Sequence, residues 1–370
     1  MQGDVRDSEK ARGIEVGNDT KKMNVGLNLL RIVLTFGVVL DHFWWTATPE
    51  KYTGIDTALW NLRTLAVPAF MTMTFFLTAR RFWGGDVPWL KKRYLRLYEP
   101  FVFWAIVYWF VRLAASHFDS WYAVSVKDLL WQLALGSARY AGQFWFHADL
   151  IILTGLFFVA FRIVRSPKAN LWFGLGSVAL GLTMQYTQLH LAIFGGLPHE
   201  ARIPLGRLAS MLPYAGVGFL LASVRERIDS IPGNVKLAVS LFGLWLAWFV
   251  VYEPVCPRPD TTIGYEGFKL NLTAWGFMVA FYYMPFDRLP AFVSKAVLSV
   301  SRYCMGVYCV HFLFGQMMFD FVFHGTKTAT DFGNLRIFSI AQCLVVWVLS
   351  YLICWLVSLI PVAFCKRVVE

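Results

Sequence analysis

The sequence predicts an all-α, polytopic integral membrane protein of about ten transmembrane helices with both termini cytoplasmic. Three observations carry this. Of its 370 residues 57% are hydrophobic and only 15% charged, against about 25% charged in soluble domains. Apolar runs of about 20 residues, the length a helix needs to cross a bilayer, recur along the whole chain. They are continuous, whereas a barrel strand shows ~10-residue alternation.

The runs fall at 24–46, 58–79, 94–116, 143–163, 171–191, 208–224, 235–252, 268–285, 303–323 and 336–364. Basic residues orient them. The first run follows a polar tail, 1–23, with Arg6, Lys10, Arg12, Lys21 and Lys22, and the second gives way to Arg80, Arg81 and the Lys91–Arg96 cluster. Arg162, Arg165 and Lys168 follow the fourth run, Arg225, Arg227 and Lys236 the sixth, Arg288, Lys295 and Arg302 the eighth, and Lys366 and Arg367 the tenth. The alternate connections hold Lys51, Lys127, Arg139, Arg202, Arg207, Arg258, Lys269, Lys327 and Arg336, fewer than half as many. An even number of spans with a basic, cytoplasmic 1–23 and 365–370 satisfies this asymmetry. The formal charge of +11 is then a property of cytoplasmic loops, and nucleic acid is excluded as a partner. Cys304, Cys309, Cys343 and Cys354 lie within apolar runs as small hydrophobes, so no disulfide framework is expected. The 1–23 segment has no apolar core or small-residue cleavage pattern of a signal peptide.

The first run contains "RIVLTFGVVLDH", an arginine, an aspartate and a histidine where a bilayer disfavours all three. Ionisable residues at that depth face a protein interior or a wet cavity and point to function. Eleven steps at about 100° total roughly 1100°, three turns plus ~20°, so Arg31 and His42 share one face ~16 Å apart along the axis. Arg31, nearer the cytoplasm, either grips an anion through its planar fork or snorkels to the headgroups. His42, nearer the outer side, either serves as a base near neutral pH or packs in a belt with Phe43, Trp44 and Trp45. Asp41 diverges by about 100° from its neighbour. It pairs with another helix or tunes the field.

In "KKRYLRLYEP", Arg93 and Arg96 stand three apart on one helical face, where they form a phosphate-gripping fork or a topology signal. Further along, His147 and Asp149 open the fourth run, either lining an acceptor site or making interhelical hydrogen bonds. Tyr308 and His311 lie one turn apart in the ninth. Glu253, Asp260 and Glu266 read as solvated loop residues, and His117, His190, His199 and His324 receive no role. No His or carboxylate pair has a metal-ligand spacing, so no metal is expected.

The arginine, ten residues and histidine of the first run, with Arg93-Tyr94-Leu95-Arg96 at the third, resemble the two signature motifs of the acyltransferase 3 family of membrane O-acyltransferases. "VPAFMTMTFFLTARRFW" (67–83) is similar to the family's second span and "SRYCMGVYCVHFLF" (301–314) to its late segment ending in histidine. One departure is Thr74-Phe75, where family members often have Ser-Gly that permits close backbone approach. The resemblance implies one membrane acyltransferase domain over 24–364 and transfer of an acyl group, commonly acetyl from acetyl-CoA, to a hydroxyl of a carbohydrate, polysaccharide or glycolipid. It implies phosphate contacts from Arg31, Arg93 and Arg96, general-base action by His42 beside Asp41, and acceptor contacts from His147, Asp149, Tyr308 and His311. A transporter of a sugar or acylated substrate is the competing class. It would favour repeats and broken helices, neither of which is legible in the sequence. An acyltransferase-like partner without activity is the third.

Overall fold

The computed structural model describes residues 24–43, 54–83, 85–117, 123–136, 139–164, 166, 168–187, 189–251, 268–317 and 335–370. The 1–23 tail, Trp44, Trp45, Ser120, Arg165, the loop residues Glu253, Asp260 and Glu266, and His324 lie outside them, as do the side chains of His190 and His199. Among the described residues every regular element is helical.

In chain order these are α1 (Val25–Phe43), α2 (Gly54–Trp83), α3 (Val87–Ala115), α4 (Val126–Leu135), α5 (Trp145–Ile163), α6 (Ala169–Thr187), α7 (Leu189–Phe194), α8 (His199–Asp229), α9 (Gly233–Val251), α10 (Phe268–Tyr283), α11 (Ala291–Ser301), α12 (Cys304–Met317), α13 (Leu335–Ser358) and α14 (Ala363–Arg367). Short 3-10 turns occupy Arg139–Phe144 and Phe286–Arg288. Each predicted run overlaps one long helix. Among the described residues six helices are long and apolar enough to cross a membrane: α1, α2, α3, α5, α8 and α13. A seventh is counted if α11 and α12, bent by 58° at their junction, form one broken span.

Some local structure departs from the sequence reading. The stretch between the third and fourth runs contains α4, started by a capping box in which Ser125 and Asp128 bond each other's backbone. Gly136 ends it at φ 64°. A side chain at Gly136 would also stand 2.6 Å from the Phe144 carbonyl oxygen. α8 is far longer than the predicted 208–224, beginning nine residues earlier at His199. The connection before the ninth run contains α11, which meets α12 at a bend of 58° that the sequence reading does not anticipate. The predicted basic tail folds back: Val368 and Val369 are buried, the Trp104 indole donates to the Val368 carbonyl at 2.9 Å, and Arg367 pairs with Glu99 at 2.6 Å.

α1 sits at the centre, against α2, α10, α11, α12 and α13. Asn24 caps it, its Oδ1 accepting from Leu27 N at 2.8 Å. In lipid, where apolar burial does not drive helix association, close packing and polar bonds do. Two glycines permit this at the site. Gly37 sits 2.7 Å, by its would-be Cβ, from the Leu62 carbonyl of α2. A Cβ at Gly218 of α8 would stand 2.6 Å from Thr72 O of α2 and 2.8 Å from Phe76 N. The close approach that Ser-Gly would have given α2 is thus supplied from the opposite helix. Phe75 fills the adjoining space, 5.3 Å from Phe157 and 5.4 Å from Phe219 between ring centroids.

Candidate active site

The face of α1 that carries Arg31 and His42 is polar at both ends, and each end gathers residues from distant helices.

At the Arg31 end, Arg31 Nη1 reaches Asn28 Oδ1 at 3.5 Å, and the same oxygen accepts from Ser301 Oγ at 2.9 Å. Arg31 and Arg96 repel one another electrostatically, as do Arg93 and Arg96, so the three predicted arginines form one cationic group. Among the described residues no carboxylate lies within ion-pair distance of any of them. Glu99, one turn beyond Arg96, is held by Arg367 instead. The Arg93 guanidinium lies 5.9 Å over the Trp89 ring, and its Nε and Nη2 are buried without a hydrogen-bond partner. Buried donors normally find partners, and an unmade bond to a charged group is costly. The site is therefore chemically suited to an anion. α12 begins here too, with Cys304 buried close enough to Arg31 to feel its charge, and a helix N-terminus also favours negative charge.

At the other end, the His42 and His311 rings stand 5.2 Å apart between centroids. Phe312 meets His42 edge-on at 5.2 Å. The ring contacts continue from His311 to Tyr308 at 6.0 Å and from Tyr308 to His147 at 5.1 Å. Tyr308 donates its hydroxyl to the Gln143 carbonyl. His147, fully buried, has Nε2 3.9 Å from Cys309 Sγ, while its Nδ1 and Asp149 Oδ2 are buried without a partner. Asp41 is bonded by Arg63 of α2 at 3.1 Å.

His42, His147, Tyr308 and His311 are thus brought together by contact, and Asp149 lies two residues from His147 on α5 within reach of the charge of Arg207. The charge of Arg207 reaches Asp41, His42 and Asp149, and its guanidinium lies 5.1 Å over the Trp145 ring. Arg31, Arg93 and Arg96 form the separate cluster at the opposite end.

Sequence reasoning passed over Arg63, Arg207 and Tyr108. Arg63 is an ionisable residue inside the second run, which was itself a signal. Arg207 falls one residue before the run at 208–224, among the charges of a connection. Tyr108 had no signal. Its hydroxyl donates to the Cys309 carbonyl at 2.9 Å and accepts from the Leu313 amide at 2.7 Å. These two groups are a helical i, i+4 pair, so the tyrosine is inserted into the hydrogen-bond ladder of α12 around His311.

A bundle of apolar helices, with arginines of α1 and α3 clustered at one end of α1 and imidazoles of α1, α5 and α12 gathered at the other, defines a membrane protein with a polar interior. The family model for an acyltransferase domain matches residues 24–359, nearly the whole chain, and the protein belongs to the acyltransferase 3 family. It is accordingly a multi-pass membrane protein and an acyltransferase by family. No curated protein and no solved structure matches it. Among the described residues no group of three or more metal-ligating side chains occurs.

Proposed function

We propose that the protein transfers an acyl group, acetyl foremost, from acyl-coenzyme A to a hydroxyl of a carbohydrate, polysaccharide or glycolipid in the cell membrane, the inner membrane of a bacterium. The observation that carries this reading is the Arg93 guanidinium, whose Nε and Nη2 are buried without a hydrogen-bond partner, in one cluster with Arg96 and Arg31, which shares α1 with His42. Arg31, Arg93 and Arg96 hold the coenzyme's phosphates by charge-assisted hydrogen bonds, and the thioester reaches along α1. The acceptor lies against His42, with His147, Asp149, Tyr308 and His311 around it. Its hydroxyl oxygen attacks the thioester carbonyl while His42 takes the proton. A C–O bond forms, the C–S bond breaks, and the thiolate regains the proton. General-base help of this kind contributes typically ~10²–10⁴-fold, with positioning adding more.

Asp41 acts through its ion pair with Arg63, which holds the His42 end of α1 against α2. Ten spans with cytoplasmic termini complete the reading, supported by the excess of basic residues in alternate connections. The Arg31 end then faces the cytoplasm, where coenzyme A resides.

The bent α11–α12 pair favours a second reading as a carrier, since broken helices build transporter sites. One experiment separates the two. Protein in lipid nanodiscs is titrated calorimetrically with acetyl-CoA and then incubated with acetyl-labelled coenzyme and an extract of the native cell envelope. Saturable binding and label in a base-labile ester support acyl transfer. Binding without transfer leaves an inactive partner, and failure to bind acetyl-CoA removes the acyltransferase reading in favour of a carrier.

A further inference from the structure

An imidazole works as a base only if its lone pair faces the proton to be removed, so something must set which ring nitrogen carries hydrogen. On α1 nothing does this for His42. Asp41, the adjacent carboxylate, is committed to Arg63 at 3.1 Å. Across the helix interface the situation of His311 is different. Its Nδ1 lies 3.1 Å from the Val307 carbonyl oxygen. A carbonyl only accepts, so Nδ1 carries the hydrogen, and Nε2 of the neutral ring is a bare lone pair. That atom is buried in a fully buried side chain and has no hydrogen-bond partner. It lacks a donor. The His42 ring is its neighbour, 5.2 Å away between centroids at an interplanar angle of 36°, a separation that one N–H···N bond between ring edges can span.

The surroundings hold His311 in this attitude. Tyr108 bridges Cys309 O and Leu313 N on either side of it, so that turn of α12 is fixed from α3. Phe43 meets the His311 ring edge-on at 6.2 Å, and Phe312 meets His42 edge-on. His42 is the more accessible of the two, partly buried where His311 is fully buried.

We propose that His311 is a positioning residue that sets the tautomer of His42. Nε2 of His311 accepts the N–H of His42, which leaves the other His42 nitrogen unprotonated toward the acceptor hydroxyl. The Val307 carbonyl, His311 and His42 then form one directed chain, in which a backbone acceptor decides where the base has its lone pair. The proposal rests on the reading of His42 as the base. During transfer the hydroxyl proton moves to the bare nitrogen of His42 as the C–O bond forms and the C–S bond breaks, and it leaves with the coenzyme A thiol. His311 keeps its proton throughout.

The test reads the tautomer and the rate separately. Protein labelled with ¹⁵N-histidine in nanodiscs gives ring nitrogen signals, those of His42 being identified by their loss in His42→Gln. The parent should show one His42 tautomer. His311→Asn keeps a nitrogen at the Nδ1 position for Val307 but deletes Nε2. It should mix the tautomers and lower transfer of label from acetyl-CoA to the envelope extract by roughly a hundredfold, within the range for loss of an acid–base group. His311→Gln, which sets an amide oxygen near the Nε2 position, should restore the single tautomer and most of the rate. An unchanged His42 tautomer in His311→Asn overturns the proposal whatever the rate does. A mixed tautomer with an undiminished rate supports the pairing and instead removes His42 from the base role.

Discussion

Asp41 and Arg63 are joined at 3.1 Å between α1 and α2, with both side chains largely withdrawn from solvent. This pair anchors the His42 end of α1 through a bond between residues 22 positions apart. Removing either partner leaves a charge without its counter-ion in a setting of low polarity. Asp41→Asn and Arg63→Gln should each lower stability by about 1–2 kcal/mol. The double variant should be less destabilised than the sum of the singles. Thermal unfolding in detergent, arranged as a double-mutant cycle, measures this. Strict additivity would mean the two side chains do not interact.

His42→Ala should reduce acyl transfer by at least ~100-fold while expression and thermal stability stay near the parent's, because the imidazole is needed only when the hydroxyl attacks. His42→Gln keeps a hydrogen-bonding group but no basic nitrogen, and should be equally inactive. Initial rates with labelled acetyl-CoA decide it. Turnover within tenfold of the parent would take the base role from His42.

Arg93 carries opposite expectations for binding and stability. Its buried Nε and Nη2 have no partner, so Arg93→Met should leave the ligand-free protein as stable as the parent or more stable, by up to ~2 kcal/mol. The same change should weaken acetyl-CoA binding by ~1.5–3 kcal/mol, the range for a hydrogen bond to a charged group. Arg96→Ala should weaken binding too, less strongly for dephospho-coenzyme A, and Arg96→Lys should recover part of the loss, since it returns a charge without the fork. Titration calorimetry together with thermal unfolding reads both effects. Unaltered affinity in both Arg93→Met and Arg96→Ala would reduce the cluster to a topology signal.

Tyr108→Phe removes the hydroxyl that stands between Cys309 O and Leu313 N. Those two groups can then bond each other as in any α-helix, so stability should change by less than ~1 kcal/mol. The turn that carries His311 should close up and move. Transfer should fall by roughly tenfold, the order expected when a group near the chemistry is misplaced. A full-rate Tyr108→Phe protein would mean the inserted hydroxyl is only a packing feature.

Single cysteines at Ser230 and Lys295, in a background without reactive native cysteines, should be labelled by an impermeant maleimide only from the cytoplasm. One at Lys127 should be labelled only from outside. All three positions are exposed. Reversed labelling would invert the membrane orientation and place the arginine cluster on the face away from coenzyme A.

The sequence by itself determined the helical class, the placement of each long apolar helix and the common face of Arg31 and His42. These depend on composition and on a 3.6-residue period, properties of one segment read alone. The same holds for Arg93 and Arg96, three apart on α3. Only the tertiary structure decided which residues meet. Asp41 is taken by Arg63, His42 neighbours His311 269 positions away in the chain, the charge of Arg207 on α8 reaches Asp149, and Tyr108 enters the ladder of α12. In lipid these pairings follow from close backbone packing and interhelical polar bonds, not from the hydrophobicity that marks the spans. For the same reason the missing Ser-Gly of α2 was ambiguous in the sequence. The space it would have opened is provided by Gly218, on a helix that no local pattern connects to it.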